Sequence, residues 1–142
     1  MAFTGNWACN TFKTGLMNGS FNFTSGTFYI ALYTNNAMLD ATTTAYTTTG
    51  EATGGNYVAG GLALTVSQVP TIGNQTGAAT AYISFSNASW TGAITARGAL
   101  IYKAGDNGAV CVLDFGNDKT STSTFTVQFP AITNTSAIIR IA

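Results

Sequence analysis

Histidine is absent from the 142 residues, and charge is scarce: lysine and arginine number five, aspartate and glutamate five. Charged residues make up 7% of the chain, against roughly a quarter in typical globular proteins. Each shortage excludes something. Five dispersed cations do not make the basic stripe that nucleic-acid binding needs, so no nucleic acid is expected as a partner. Without histidine the commonest proton carrier near neutral pH is missing, and a Ser-His-Asp triad is impossible. No stretch approaches the run of about 20 apolar residues that spans a bilayer, so no membrane is expected either. The opening "MAFTGNWACNTFKTG" has no basic segment followed by an apolar one and does not read as a secretory signal peptide. Cys9 and Cys111 are the two cysteines. They are expected as buried thiols in a reducing compartment, and without histidine they cannot form a structural zinc site.

What is present points to one β-rich domain over residues 1–142. The hydrophobic fraction is 46%, which argues against disorder, and a chain near this length buries roughly 70% of its unfolded surface. Threonine is abundant, and β-branched residues suit a pleated surface. Short windows alternate with period two between Gly, Asn and Ser clusters. "TFYIALYT" places Phe28, Ile30 and Leu32 on one face and Tyr29, Ala31 and Tyr33 on the other; both faces are apolar, so it reads as a central strand. "RGALIYK" reads the same way. "GLALTV", "TAYISFS", "AVCVLDF" and "TFTVQF" alternate, the last with Phe125, Val127 and Phe129 inward, and "AIIRIA" closes the chain. Asn107-Gly108 predicts a two-residue type I′ hairpin turn, with both residues at positive φ and Asp106 facing Ala109. A short N-terminal helix is expected, capped by Asn6, with Ala8, Phe12 and Leu16 on one face and Gly19 at its end. The fold class is therefore all-β: a β-sandwich or jelly roll of about seven strands with a short N-terminal helix.

Candidate chemistry is sparse. Asp106, Asp114 and Asp118 are oxygen ligands in type, but their spacing matches no calcium loop, and Asp106 and Asp118 have the turn-forming role typical of aspartate. "DFG" at 114–116 stands without the other parts of a kinase signature. No pattern singles out a carboxylate pair for glycoside hydrolysis. Asn22-Phe23-Thr24 and Asn87-Ala88-Ser89 are sequons of the kind an Asn- and Thr-rich chain produces by chance. Trp7, Trp90 and the six tyrosines suit a sugar platform, though aromatics in β-domains more often serve cores and interfaces. No catalytic residue, metal or cofactor is expected.

One stretch resists assignment to a strand or a tight turn: "AYTTTGEATGGNYVAGG", residues 45–61, with one charge, Glu51, among threonines and glycines. Together with "TFKTGLMNGSFNFTSGTFYIALYT" before it and "ITARGALIYKAGDNGAVCVLDFGNDKTSTSTFTVQFP" after it, it resembles a family of small virion proteins of tailed bacteriophages. The resemblance spans roughly residues 10–141. It implies a structural component of the particle, assembled in the bacterial cytoplasm, with no catalytic residues to carry over. On this reading the protein is a capsid decoration, or cement, protein. It forms a homo-oligomer, a dimer or trimer, and binds the major capsid protein or other virion proteins. The alternatives are a tail or baseplate component, and a carbohydrate-binding module for host attachment. Residues 45–61 are then expected to be an arm, loosely ordered alone and settled on a neighbouring subunit. Tyr46, Glu51 and Tyr57 are its interface residues, and shortening it across Gly50–Gly55 is expected to leave the β-core folded.

Overall fold

The computed structural model describes residues 3–73 and 79–142. Ten strands and one helix run in the order β1 (Trp7–Ala8), α1 (Asn10–Asn18), β2 (Phe28–Tyr33), β3 (Leu62–Leu64), β4 (Val66–Gly73), β5 (Thr80–Phe85), β6 (Ala88–Thr91), β7 (Ile94–Lys103), β8 (Ala109–Ser121), β9 (Thr124–Val127) and β10 (Ile139–Ile141). All pairings are antiparallel. A five-stranded sheet has the order β1-β8-β7-β2-β3, a three-stranded sheet β10-β5-β4, and β6 pairs with β9. The fold is all-β and sandwich-like, with ten strands among the described residues rather than about seven.

The windows with two apolar faces lie centrally, as their pattern requires. β2 and β7 are flanked on both sides, and Phe28, Ile30, Leu32, Leu100 and Ile101 are buried. On one face of β2, Phe28 meets Phe23 and Phe85, which joins the large sheet to β5. On the other face, Tyr29 stacks on Tyr102 across the β2–β7 pair. Phe125, Val127 and Phe129 are buried as the alternation predicts. "GLALTV" is not one strand of one sheet. It breaks at Thr65, where the chain leaves β2 and pairs with β5 instead, and Ser86 N–H donates to Thr65 O at the crossing.

Two local expectations are corrected. The helix is not capped by Asn6. Residues 7 and 8 pair with β8, so the helix cannot begin before Cys9, which takes the cap position without a side-chain bond. Asn6 instead accepts from the Asp114 N–H at 2.7 Å. Gly19 does end the helix, at φ +78°. Gly15 stands inside it because the Phe21 ring occupies the space a β-carbon would take. The β7–β8 hairpin forms, but its turn is longer than two residues. Lys103 N–H donates to Gly108 O, enclosing Ala104–Asn107, and the positive φ values fall on Gly105 and Asn107. Gly108 is not in that region of φ. Its N–H is taken by the Asp106 carboxylate at 2.9 Å, and that bond sets the wider loop.

Cys9 and Cys111 are both buried and free. Ala8 faces Cys111 in the β1–β8 register, and Cys9 N–H donates to Val110 O. Burial raises both thiols, Cys9 to about 11 and Cys111 to about 12, so they are poor nucleophiles.

Candidate functional site

Residues 45–61 are seated on their own chain. The segment begins against the β7–β8 hairpin, where Ala109 N–H donates to Thr44 O and Tyr46 N–H to Asn107 O. It then runs along the edge of β2 that β3 leaves uncovered. β3 covers Phe28 to Ile30. Beyond it, Ala52 N–H donates to Leu32 O, Thr34 N–H donates to Gly50 O, and Tyr33 bridges Glu51. Further on, Asn56 N–H donates to Thr91 O, and the Asn56 side chain accepts from Thr91 N–H. Gly54 and Gly55 pass so close to Thr91–Ala93 that a β-carbon on either would overlap a carbonyl oxygen there. The segment is a strap that completes the sheet edge. It is not an arm waiting for a neighbour to order it.

Tyr46, Glu51 and Tyr57 meet one another at the centre of this strap. Tyr46 Oη donates to Glu51 Oε2 at 2.8 Å, Tyr57 Oη donates to Glu51 Oε1 at 2.6 Å, and Gly60 N–H donates to Oε1 at 2.7 Å. Tyr57 Oη also accepts from the Leu32 N–H at 2.9 Å, satisfying a strand amide that no neighbouring strand reaches. Tyr46 stacks on Tyr102 with ring centres 4.8 Å apart, and Tyr102 Oη donates to Gly60 O at 2.6 Å. Tyr33 Oη donates to Thr47 O at 2.7 Å.

Burial pushes all four of these phenols up. Tyr102 reaches about 12, and Tyr33, Tyr46 and Tyr57 go higher still, with the Glu51 charge adding to each. They remain protonated donors across the physiological range. The arrangement is a clasp: one carboxylate gathers two hydroxyls and an amide, and a tyrosine stack fixes it to the sheet. Sequence reasoning singled out Tyr46, Glu51 and Tyr57 as residues for a neighbouring subunit, not as partners of one another, and it missed Tyr33 and Tyr102. Their signal was present in the second apolar faces of "TFYIALYT" and "RGALIYK", whose partner the windows did not reveal.

The other candidates have structural work. Asp114 binds Arg97 through Oδ1 at 3.0 Å, both side chains being largely buried. Burial opposes its ionisation, but the Gly116 N–H and the Arg97 guanidinium outweigh it and hold the carboxyl below its usual range. "DFG" thus lies within β8, where the register against β7 shifts between Asp114 and Lys119, with Gly116 at φ +86° donating to Asp114. Among the described residues, no three His, Cys, Asp or Glu side chains approach closely enough to hold a metal ion. Asn22 accepts from Thr24 and Ser25 amides, and Asn87 from that of Phe129.

A cleft of about 410 Å³ beside Phe115 is lined by Thr120, Ser121, Thr124 and Thr126. Several of these hydroxyls are already engaged, in Thr95···Thr120, Ser89···Thr126 and Ser121 Oγ–H to Gly92 O bonds. Trp90 is buried, so it offers no sugar platform. Among the described residues no helix is long and apolar enough to cross a membrane. Comparison with models of protein families, with curated proteins and with solved structures finds no match to this chain.

Proposed function

We propose that the chain is a structural subunit of a bacteriophage virion, a decoration protein that seats on the major capsid shell and reinforces it. The resemblance carried by residues 10–141 supplies the virion. The observation that supports a packing role is the character of the surface. It carries few charges, while Met17, Met38, Val58 and Ile72 stand at 92, 87, 69 and 60% exposure. Single exposed apolar side chains are ordinary on a protein surface; what supports packing is the scarcity of charge, since little on this surface keeps neighbouring copies apart. The clasped strap supports the same reading, since it gives a rigid unit that need not order on binding. Because Tyr46, Glu51 and Tyr57 spend their polar atoms inside the chain, contact with a neighbour falls to the outer side of the strap, at Thr48, Thr53 and Val58.

The partner interface then rests on apolar area and backbone bonds rather than ion pairs. The test is to add the protein back to particles that lack it across a salt series. Retention that changes little between low and moderate salt supports the reading, because screening acts on exposed charges. Release at modest salt, or no association with particles, contradicts it. No catalytic role is part of this proposal.

A further inference from the structure

Beneath α1 lies an apolar groove of about 400 Å³ that the strap and its clasp do not touch. Its walls include Trp7, Leu16, Leu113, Ile139 and Ile141, with Trp7 and Ile141 at 40 and 53% exposure. A second space of about 320 Å³ shares Phe12, Leu16, Ile139 and Ile141 with it, so the groove continues under the helix. The decisive feature is what borders it. β1 ends the five-stranded sheet and β10 ends the three-stranded one, and the groove runs between them. Asn6 to Ala8 border it on one side and Ile138 to Ile141 on the other, with Cys111 to Leu113 of β8 also in its lining. β1 and β10 are each paired on one side alone, so each keeps a free edge of amides and carbonyls.

Charge adds a second, independent observation. Of five cations in the chain, Arg97 and Lys103 are in ion pairs. Lys13 and Arg140 both stand at this groove, and among the described residues neither has a carboxylate within 4 Å. Arg140 donates only to the Thr135 carbonyl, and the Asp40 carboxylate is engaged by Thr42. Both are solvent-exposed, as is Lys119 at the cleft beside Phe115, but here two cations share one apolar groove and make it complementary to an anionic partner.

We propose that the groove is the acceptor for an extended segment of a partner polypeptide, apolar on alternate residues and carrying a carboxylate. It adds as a strand to β10 or β1. Its apolar side chains cover Trp7, Leu16, Ile139 and Ile141, and its carboxylate reaches Lys13 and Arg140. Main-chain bonds supply affinity in such strand addition, and the side-chain pockets and charge supply choice. The inference rests on the groove's geometry and stands whichever assembly the chain serves. Its failure leaves particle binding through other surfaces intact.

The test uses two short capped synthetic peptides in which valine and threonine alternate, one flanked by glutamates and one by lysines. Each is titrated into the whole protein, and amide chemical shifts are followed. The glutamate peptide is expected to bind saturably, with shifts at Trp7, Leu16 and Ile139–Ile141. In the double variant Lys13→Glu with Arg140→Glu, its affinity is expected to fall about tenfold or more while the lysine peptide gains. Should that variant fold poorly, Lys13→Gln with Arg140→Gln is expected to abolish the preference between the peptides. Any of four results overturns the proposal: no saturable peptide binding, shifts centred elsewhere, indifference to the charge changes, or occupation of the groove by decanoate or by a second copy of the chain instead of the peptide.

Discussion

Replacing Glu51 by alanine removes the acceptor for three hydrogen bonds, from Tyr46 Oη, Tyr57 Oη and Gly60 N–H. Bonds to a charged group each contribute about 1.5–3 kcal/mol, and they are not additive within one cluster. Tyr46 lies near enough to solvent to recover part of its loss from water, whereas Tyr57 is held in place between Leu32 and Trp90. The net cost of Glu51→Ala is therefore about 3 kcal/mol, less than the roughly 4.5 kcal/mol that three bonds sum to at the low end, because they are not additive and Tyr46 recovers part of its loss from water. For a domain of this length that corresponds to about 10 °C in Tm.

Glu51→Gln is the discriminating control. Its Oε1 still accepts from Tyr57 and Gly60, and its amide donates to Tyr46 in place of accepting. Only the charge assistance is lost, at about 1 kcal/mol. Thermal unfolding measures both variants, and native-state hydrogen exchange locates the effect. The Leu32 amide, which donates to Tyr57, should lose protection before the amides of β7 do. If Glu51→Ala melts with the parent protein, or if Leu32 keeps its protection, the carboxylate does not hold the strap and the clasp is decorative.

Deleting Gly50–Gly55 should destabilise the whole sheet, because Leu32 and Thr34 lose their edge partners; a deletion variant with unchanged Tm would mean the strap is only a surface loop. Ser84 Oγ is buried with no hydrogen-bond partner, so Ser84→Ala should leave Tm unchanged or raise it, and a clear loss in thermal melts would point to a bond the oxygen makes. The clasp phenols sit above their unfolded value, so the folded state holds their protons more tightly. Their contribution is complete below about pH 10 and is lost as pH rises past it toward the folded value, which for Tyr102 is about 12. Alkaline titration should show stability falling from pH 10 upward, less steeply in Tyr57→Phe. Gly61→Ala should be far costlier than Gly105→Ala: both have positive φ, but a β-carbon at 61 overlaps the Ile30 carbonyl while that at 105 meets open space. Equal melting temperatures for the pair would contradict the packing of the strap on β2.

The strands with two apolar faces were legible because burial on both sides leaves an unbroken pattern, as in Phe28–Tyr33 and Ile94–Lys103. β4 was not. Its sequence, VSQVPTIG, is half polar, contains a proline, and shifts register twice against β5. An edge strand with bulges tolerates that composition, and period-two reading does not detect it. β1 and β6 are too short to show a period. The turn at Asn107 was misplaced by a side chain: the Asp106 carboxylate captures the Gly108 amide and moves the positive φ to Gly105 and Asn107. At the clasp, sequence identified Tyr46, Glu51 and Tyr57 as an odd group of anchors but not their target. Spacings of five and six residues show neither that both hydroxyls reach one carboxylate nor that the surface beneath is Tyr102 and Leu32. Those contacts are non-local, and a partner's sheet edge offers the same chemistry as the chain's own.

The proposed role of this β-domain is that of a covered, many-copy building block of a virion. Quantitative proteomics joined to a cryo-EM reconstruction of the particle from the same genome tests it most directly. The account predicts many copies per particle, and density on the shell that takes this fold with Met17, Met38, Val58 or Ile72 against a neighbour. Absence of the chain from purified particles, or density in which those side chains all face solvent, contradicts it.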